Sequence, residues 1–303
     1  MRNFCLLALA IITIFAPSGC KKDDTGKNQK DIQIIPLDVQ TVAQLPMALY
    51  ESSGIIVSSP NRVWSHNDSG NSNELFLFDT TGTILRTLTI VNATNIDWED
   101  LAIDTQGRVY INDAGNNNNN RRDLKIYRIP NLNSISGDGV LAEVISFEFE
   151  DQTLFPPPST YRNFCIEAIV WKDGFIFMFT KDRSSPITGY TKMYRVPDEP
   201  GDYTAQLIDS FYVDNQNHPA RVTAADINLQ TGELVLLTRT RVLSFKNYPG
   251  NIFFKGNVID YQFTSLIGQA EAIAFINENE LYITSEGAIG TPGNLYKVKL
   301  FNQ

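Results

Sequence analysis

Short apolar runs alternate with polar, glycine-rich turns along almost the whole chain from about residue 31 onward. Within many runs the apolar and polar positions alternate, as in Leu124-Lys-Ile-Tyr-Arg. An alternation of period two is typical of β-strands that are half buried between neighbours, whereas helical periodicity is almost absent. The pattern therefore predicts an all-β domain over residues 31–303.

One phrase recurs along this domain: an acidic residue, then a small or acidic residue, then an aliphatic pair that opens a strand. The acidic positions of the copies are Glu51, Glu99, Glu167, Asp226 and Glu271, and the fourth copy is the weakest because it lacks the glutamate. Each copy is followed by a second and a third apolar strand, and the first four copies also by a fourth strand. The copies recur at intervals of about 45 to 70 residues, so the chain is built from repeated units.

Four strands per unit at this spacing are typical of a β-propeller, in which each blade is a four-stranded sheet. The fifth unit ends at Phe301 before any fourth strand, while residues 32–39 form a spare strand ahead of the first unit. We therefore predict a five-bladed β-propeller in which residues 32–39 complete the last blade beside residues 294–300. Such closure would leave no exposed sheet edge at the end of the ring.

A six-bladed propeller is the alternative, because the interval between Glu99 and Glu167 is long enough to hold a further blade. Pro156, Pro157 and Pro158 lie within that interval and favour a loop insertion instead. A β-sandwich also has many short strands, but it would not explain the repeated opening phrase.

The first twenty residues are typical of an export signal. Arg2 precedes a nearly uninterrupted apolar stretch of 12 residues, which is too short to span a bilayer. The stretch ends in Ala-Pro-Ser-Gly-Cys20 and resembles a bacterial lipoprotein signal, although Pro17 stands where such signals usually carry leucine. We expect residues 1–19 to be a signal peptide, Cys20 to be lipidated and residues 20–30 to form a flexible tether. An ordinary secretory signal is the alternative.

Residues 21–24, Lys-Lys-Asp-Asp, resemble the signal that sends some lipoproteins of Gram-negative bacteria to the outer face of the outer membrane. A solvated charge run in a tether is the plainer interpretation, and both can hold together. We expect attachment to the outer membrane through the N-terminal lipid, with the domain exposed at the cell surface. A domain that faces the periplasm is the alternative.

Charge and cysteine content exclude two classes of function. Acidic residues number 34 against 25 lysines and arginines, which gives a net charge of −9 and argues against a nucleic-acid partner. The 3 cysteines cannot form a disulfide framework. Cys5 belongs to the signal and Cys20 takes the lipid, so Cys165, which lies in an apolar run, is predicted to be a buried core residue.

Several short phrases resemble the SdiA-regulated (YjiK-like) β-propeller proteins. They are Glu51-Ser-Ser-Gly-Ile, His66-Asn-Asp-Ser-Gly, Asp97-Trp-Glu-Asp-Leu-Ala and Glu271-Ala-Ile-Ala. There is a looser likeness to phytase-like propellers. The resemblance spans most of residues 45–300 and implies the propeller architecture, but it leaves the reaction open because these families are defined by fold. The chain departs from the family pattern at Ala272, where a glycine would be expected.

The loops that lead into the first strand of each blade share one face of a propeller with the loops between the second and third strands. We therefore predict that the charged residues of both loop sets meet at one mouth of the central channel and form a ligand-binding site. The candidate residues are Glu51, His66, Asp68, Glu99, Asp100, Asp113, Glu167, Lys181, Asp182, Arg221, Asp226, Arg239, Glu271 and Glu286.

A ring of carboxylates repels itself unless positive charge compensates it. Lys181, Arg221 and Arg239, with Arg162 as a further candidate, could pair with the acids. Alternatively a Ca²⁺ ion could serve as the cofactor, because Ca²⁺ takes oxygen ligands from dispersed loops. The candidate ligands of this ion are Glu99, Glu167 and Glu271.

The sequence predicts no catalytic residue. It lacks a nucleophile elbow, a paired-histidine motif and a phosphate-binding glycine-rich loop, and its 2 histidines are His66 and His218. Trp98 is expected to be buried. The first hypothesis is a lipoprotein that binds a small molecule or a protein at the acidic mouth. The alternatives are a metal-dependent hydrolase of phosphate or other esters and a purely structural interaction platform.

Overall fold

The computed structural model describes residues 32–214, 220–287 and 290–301. The predicted signal peptide, Cys20, the predicted tether and His218 lie outside the described residues. In the described residues, helical structure is limited to short 3₁₀ turns, which include Met47–Leu49, Leu132–Ser134, Ser159–Tyr161 and Phe253–Lys255. None of the helices in the described ranges is long and apolar enough to cross a membrane.

β-Strands account for most of the regular structure. In chain order they are β1 (Gln33–Leu37), β2 (Val39–Gln44), β3 (Ser52–Ser59), β4 (Arg62–Asn67), β5 (Glu74–Asp79), β6 (Ile84–Ile90), β7 (Leu101–Ile103), β8 (Val109–Asp113), β9 (Lys125–Ile129), β10 (Gly139–Val140), β11 (Glu143–Phe149), β12 (Ile166–Lys172), β13 (Phe175–Thr180), β14 (Tyr190–Pro197), β15 (Gly201–Tyr212), β16 (Val222–Ile227), β17 (Leu234–Thr238), β18 (Arg241–Lys246), β19 (Asn257–Phe263), β20 (Gln269–Phe275), β21 (Glu280–Glu286) and β22 (Asn294–Lys299).

Within the described residues these strands form four hydrogen-bonded sheets, which contain five antiparallel meanders of four strands each. β11 pairs parallel with β15 and joins the second and third meanders into one eight-stranded sheet. The first is β3 to β6, the second is β7, β8, β9 and β11, the third is β12 to β15, and the fourth is β16 to β19. The fifth joins β20, β21 and β22 to β2, which pairs antiparallel with β22 and sets Val39 opposite Val298. A strand from the N-terminal side of the domain therefore covers the edge of the last meander.

The closing strand is not the predicted one. Residues 32–39 were expected to complete the last unit, but β2 does so, and β1 instead lies parallel to β19 with Gln33 opposite Ile259. Asp38 separates the two strands, and Pro36 lies in β1, an edge strand, where its missing N–H is tolerated. The long second interval contributes the two-residue strand β10, which pairs parallel with β6 at the edge of the first meander.

The first strands of the five meanders surround a central channel. β3 contacts β7, β7 contacts β12, β12 contacts β16, β16 contacts β20, and β20 contacts β3. Buried apolar clusters lie between successive meanders, and Val63 of the first packs in the same cluster as Leu295 of the last. The described part of the chain is thus all-β and propeller-like, which confirms the all-β prediction, whereas the number of blades stays a prediction.

Candidate ligand-binding and metal site

A β-bulge interrupts the first strand of four meanders at equivalent places near one end of the channel. The bulged residues are Ser53, Glu167, Thr223 and Glu271. Glu99 takes the corresponding place in the second meander, where its N–H donates to the Asn112 carbonyl at 3.0 Å just ahead of β7. A bulge redirects a side chain out of the regular alternation, so the repeat brings these residues together at the mouth of the channel.

The bulges also correct the alignment of the repeated phrase. Glu51 lies two residues before the bulge of the first meander, and Asp226 lies three residues after the bulge of the fourth. In the first and fourth meanders the bulged positions are occupied by the hydroxyl residues Ser53 and Thr223. Ser53 Oγ donates to the Glu99 carbonyl, and Thr223 Oγ1 donates to the Ala270 carbonyl, both at 2.8 Å. The ring at the mouth therefore consists of three glutamates and two hydroxyls that fasten neighbouring meanders.

Glu167 is the best compensated carboxylate of the mouth. It is buried, and Lys181 Nζ lies 2.6 Å from one carboxylate oxygen while Arg183 Nη2 lies 2.7 Å from the other. The Cys165 thiol also donates to Glu167 at 3.0 Å. Burial opposes ionisation, but the charges of Lys181 and Arg183 outweigh it and lower the pKa of Glu167 to about 2. Glu167 is therefore ionised across the physiological pH range.

Lys181 lies between the two bulged glutamates. Its Nζ is also 3.8 Å from Glu271, which has Arg239 Nη2 at 3.5 Å from its other oxygen. An ammonium group thus bridges Glu167 and Glu271. Of the predicted calcium ligands Glu99, Glu167 and Glu271, the first two place carboxylate oxygens within 4.8 Å of each other and of the Cys165 sulfur, whereas Glu271 belongs to no such group of the described residues.

A second group of carboxylates forms no ion pair with a lysine or arginine of the described residues, although the charges of Arg121 and Arg183 act to lower the pKa of Asp97. Asp68, Asp97 and Glu99 each place one oxygen within 4.8 Å of the others. Burial, followed by the nearby charge of Asp97, raises the pKa of Asp68 to about 8. Burial and the charges of Glu167 and Asp68 raise the pKa of Glu99 well above its ordinary value. We refer to Asp68, Asp97 and Glu99 as the acidic cluster.

The backbone of Gly115 packs directly against the acidic cluster. A Cβ at this position would lie 2.3 Å from Glu99 Oε1 and 2.6 Å from Asp97 Oδ2, so a side chain could not be accommodated without displacing them. The backbone holds the loop in place, because the Gly115 N–H donates to the Asp97 carbonyl at 3.1 Å. No residue in the described part of the chain donates a hydrogen bond to the Glu99 carboxylate. Carboxylate oxygens at this spacing match the ligands that Ca²⁺ prefers.

Three guanidinium groups gather on the other side of the mouth. Arg183 and Arg239 pair with Glu167 and Glu271, and burial together with the charges of these two arginines lowers the pKa of Arg221. Arg221 Nη1 donates to the Asp182 carbonyl at 3.1 Å, and the buried Nε of Arg183 has no hydrogen-bond partner. We refer to Arg183, Arg221 and Arg239 as the basic cluster.

Glu286 and Glu51 lie at the periphery of the mouth. Glu286 accepts a hydrogen bond from Gln269, and burial together with the charge of Glu271 raises the pKa of Glu286 to about 7. Glu51 accepts a hydrogen bond from Asn71 Nδ2 at 2.6 Å. Both carboxylates remain partly exposed, so they could contact a ligand at the rim.

Asp100 is directed at the backbone rather than at the mouth. One oxygen accepts from the Leu101 N–H at 2.9 Å, and the other accepts from Ile169 at 3.0 Å and Ala225 at 3.1 Å. The carboxylate therefore joins the first strands of the second, third and fourth meanders across the channel. This buried contact is structural, so we omit Asp100 from the proposed site.

Two further predicted site residues serve the backbone in the same way. Asp226 accepts from the N–H groups of Ile227 and Phe275, at 2.8 and 2.7 Å, and Asp182 accepts from the N–H groups of Ser184 and Thr188, at 2.9 and 2.7 Å. Their carboxylates order a strand contact and a loop, respectively. Neither belongs to the acidic or the basic cluster.

His66 and Asp113 are both enclosed. His66 Nδ1 is bonded to the Asn67 carbonyl at 2.9 Å, its ring contacts Trp98 edge-on, and burial lowers its pKa to about 4. Trp98 is buried, as predicted. Asp113 accepts from the Asp97 N–H at 3.0 Å and from Arg121 at 3.2 Å, so it supports the loop that carries the acidic cluster. Arg162 donates to the Pro157 carbonyl at 3.3 Å.

Sequence reasoning missed Asp97, Arg183 and Gly115 as site residues, and it placed Cys165 in the core without seeing that its thiol would contact Glu167. Asp97 belongs to the phrase Asp97-Trp-Glu, and Arg183 follows Lys181 by two residues, so both loops were already singled out. Asp97 and Arg183 could have been identified because each lies two residues from another charged residue of the same loop. Gly115 carried no such signal.

No protein-family model matches the chain, and no curated protein matches it either. Among solved structures, the chain is similar to a gluconolactonase from Xanthomonas campestris at 12% identity and a TM-score of 0.44, over 83% of this chain and 73% of that one. It is also similar to a protein of unknown function from Bacteroides thetaiotaomicron at 8% identity and a TM-score of 0.45, over 86% and 75% of the two chains. These TM-scores are too low to carry an argument about function, and the resemblance to the SdiA-regulated family stays a prediction.

Proposed function

We propose that this chain is a ligand-binding β-propeller of the bacterial cell envelope whose channel mouth holds a divalent cation and an anionic ligand group side by side. The five meanders are the five blades in this proposal. The observation that carries it is the separation of charge at the mouth, where the acidic cluster and the basic cluster flank Glu167. The carboxylates of the acidic cluster repel one another, and a bound cation would relieve that repulsion. The charges of Arg183 and Arg239 disfavour the charged form of Arg221, and a bound anion would offset this effect.

The acidic cluster is the proposed cation site. Asp68, Asp97 and Glu99 supply hard oxygen donors from two loops, and the absence of a side chain at Gly115 lets Asp97 and Glu99 pack against its backbone. Ca²⁺ suits such a site because it accepts variable geometry and completes its shell with water or ligand oxygens. Burial and the neighbouring acids raise the pKa values of Asp68 and Glu99, and a divalent cation would favour their ionised forms.

The basic cluster is the proposed anion site. Guanidinium groups bind carboxylate and phosphate through paired hydrogen bonds, and the unpartnered Nε of Arg183 is a donor still to be satisfied. Lys181 is committed to Glu167 and Glu271, so in this proposal it fixes the acids rather than the ligand. A ligand that carries a carboxylate or phosphate group would then contact the cation on one side and the arginines on the other.

Metal-dependent hydrolysis of phosphate or other esters is the second candidate function. The observation that favours it is the same juxtaposition, because a divalent cation beside guanidinium groups is an arrangement that can stabilise charge developing on an ester. Turnover of a panel of phosphate esters and lactones by the purified protein with Ca²⁺ tests this candidate. Loss of that turnover in Glu99→Gln would place the reaction at the mouth, and absence of turnover would leave binding as the function.

Membrane attachment is a further part of the proposal. The N-terminal sequence supports lipidation of Cys20 and export to the outer membrane of a Gram-negative bacterium, with the domain at the cell surface or facing the periplasm. The expected result is that Cys20→Ser moves the protein from the membrane fraction to the soluble fraction. An unchanged distribution would contradict lipid attachment at this residue.

Thermal unfolding tests the binding proposal directly. Ca²⁺ at a hundredfold excess over its Kd is expected to raise the Tm by about 5 °C relative to chelator. Inorganic phosphate is expected to raise the Tm further when Ca²⁺ is present. If neither ion changes the Tm, the charge network of the mouth is structural and the chain is better described as an interaction platform.

A further inference from the structure

A second cavity opens at the opposite end of the channel. Each first strand starts at the mouth and ends at the turn into its second strand. A cavity of about 330 Å³ lies at these turns, and its lining residues include Asn228 and Asn277. Its walls include Val57 of β3, Ile103 of β7 and Ile276, which directly follows β20. We refer to this space as the base cavity. Its volume falls at the lower end of the range of small-molecule pockets, about 300 to 1,000 Å³.

Asp226 is the one ionisable residue among those that line the base cavity. Its carboxylate accepts a backbone N–H on each oxygen, from Ile227 at 2.8 Å and from Phe275 at 2.7 Å. A carboxylate oxygen can accept more than one hydrogen bond, so both oxygens retain acceptor capacity. No lysine or arginine of the described residues pairs with Asp226, which leaves this carboxyl without a counter-ion.

Two other features bear on the charge of Asp226. Burial raises its pKa to about 7, so an adjacent cation would favour the ionised form. The charge of Asp226 in turn acts on Asp100, whose pKa burial raises well above the ordinary value. The base cavity thus combines apolar walls, amide groups and one uncompensated carboxyl.

We propose that the base cavity binds a small primary amine as its ammonium ion. The ammonium group pairs with Asp226, and a short apolar stem packs against Val57, Ile103 and Ile276. Charge complementarity favours an ammonium ion as the occupant. An anion would be repelled by the carboxylate of Asp226, and a neutral alkane would form no hydrogen bond with its oxygens. The proposal is independent of the cation and anion sites at the mouth.

Calorimetric titration with n-hexylammonium chloride tests this assignment, with n-hexanol as the neutral analogue of the same length. At pH 8.0 we expect n-hexylammonium to bind at least about tenfold more tightly than n-hexanol. Equal affinities, or no detectable binding of n-hexylammonium, would overturn the proposal. Lowering the pH to 6.0 is expected to weaken binding as Asp226 becomes protonated, and an affinity independent of pH would contradict the role of its carboxylate.

Variants locate the binding at the base cavity. Asp226→Asn is expected to weaken n-hexylammonium binding about tenfold or more, whereas Glu278→Gln, which removes an exposed charge beside Asn277, should leave it unchanged. An equal loss in both variants would indicate a diffuse surface effect and refute the site. Because Asp226→Asn could disturb the strand contact, Leu229→Lys provides a second test. Leu229 lines the cavity and is 39% exposed, so Leu229→Lys should preserve the fold. The ammonium group introduced by this substitution should compete with n-hexylammonium for Asp226. An unchanged affinity for n-hexylammonium in this variant would also refute the site.

Discussion

Glu99 and Glu167 place carboxylate oxygens within 4.8 Å of each other, yet their environments are opposite. Glu167 is bonded to Lys181 and Arg183, and its pKa is lowered to about 2. Glu99 faces Asp68 and Asp97, and its pKa is raised well above the ordinary value. Two carboxyls whose environments separate their pKa values in this way have different roles, and we assign Glu99 to the cation and Glu167 to the framework of the mouth.

Neutral substitutions at the two positions should therefore have opposite effects on stability. Without a divalent cation, Glu99→Gln is expected to raise the free energy of unfolding by about 1 to 2 kcal/mol, because it removes a buried carboxyl from among other acids. Glu167→Gln is expected to lower it by about 3 to 5 kcal/mol, because Lys181 and Arg183 lose their partner. Urea unfolding in the presence of chelator measures both values. Destabilisation of similar size in both variants would refute this difference in roles.

Gly115 offers a test of the cation site that leaves every carboxylate in place. Gly115→Ala inserts a methyl group where Glu99 and Asp97 lie 2.3 and 2.6 Å away, so Ca²⁺ binding should weaken at least about tenfold. Gly137→Ala is the matched control, because a Cβ at that position meets nothing within 4 Å. Calorimetric titration with Ca²⁺ compares the two variants. Equal affinity in the variants would place the cation elsewhere.

The stability of the cation-free protein should fall as the pH rises. The pKa values of Asp68 and Glu286 in the folded protein, about 8 and about 7, lie above those of carboxyls in the unfolded chain. The contribution of these two groups to the free energy of unfolding is therefore complete below about pH 4 and is lost as the pH rises through 7 to 8. We expect the free energy of unfolding to decrease by about 1 to 3 kcal/mol between pH 6.5 and 8.5. This range lies above the region in which His66, with a folded pKa of about 4, contributes.

Calcium and two variants complete the pH experiment. Ca²⁺ should flatten the pH dependence, because it stabilises the ionised carboxylates of the acidic cluster. Asp68→Asn should flatten it in the absence of Ca²⁺ as well, and Glu286→Gln should do so in part. Urea unfolding at each pH provides the measurement. A cation-free stability that rises over this interval would show that the mouth carboxylates are not raised in pKa.

Asp100 is expected to be critical for the fold. Its carboxylate accepts N–H groups from Ile169 and Ala225 in two other meanders, and in Asp100→Asn the side-chain NH₂ would meet backbone donors. The variant should lose about 2 to 4 kcal/mol of unfolding free energy. Asp138→Asn, at an exposed position, is the control and should change stability by less than about 0.5 kcal/mol. A similar small change in Asp100→Asn would contradict the proposed inter-strand contact.

Strand positions were largely predictable because they depend on local alternation. The fourth strand predicted for each of the first four copies of the repeat is present, as β6, β11, β15 and β19, since apolar and polar residues there follow the period of a pleated strand. The closing strand was misassigned because β1 and β2 have similar composition, and the choice between their two partners depends on contacts more than 200 residues away along the chain. Such pairings leave no local signal.

The site was predictable only where a bulge repeats. Glu167 and Glu271 were found because their bulges carry the repeated acid, whereas Glu51 and Asp226 were aligned with them although a serine and a threonine hold the equivalent places. One inserted residue reverses which side chains face the channel, and the sequence does not show where the insertion occurs. The position of Lys181 between two glutamates likewise depends on the packing of neighbouring meanders.

The central claim is that a cation and an anion bind side by side at the mouth, and their thermodynamic coupling tests it most directly. Calorimetric titration with inorganic phosphate, with and without saturating Ca²⁺, measures this coupling in the wild-type protein and in Glu99→Gln. We predict that Ca²⁺ increases the phosphate affinity of the wild-type protein by about 5- to 100-fold and has no effect on the variant. A phosphate affinity that is the same with and without Ca²⁺ in the wild-type protein would contradict the claim.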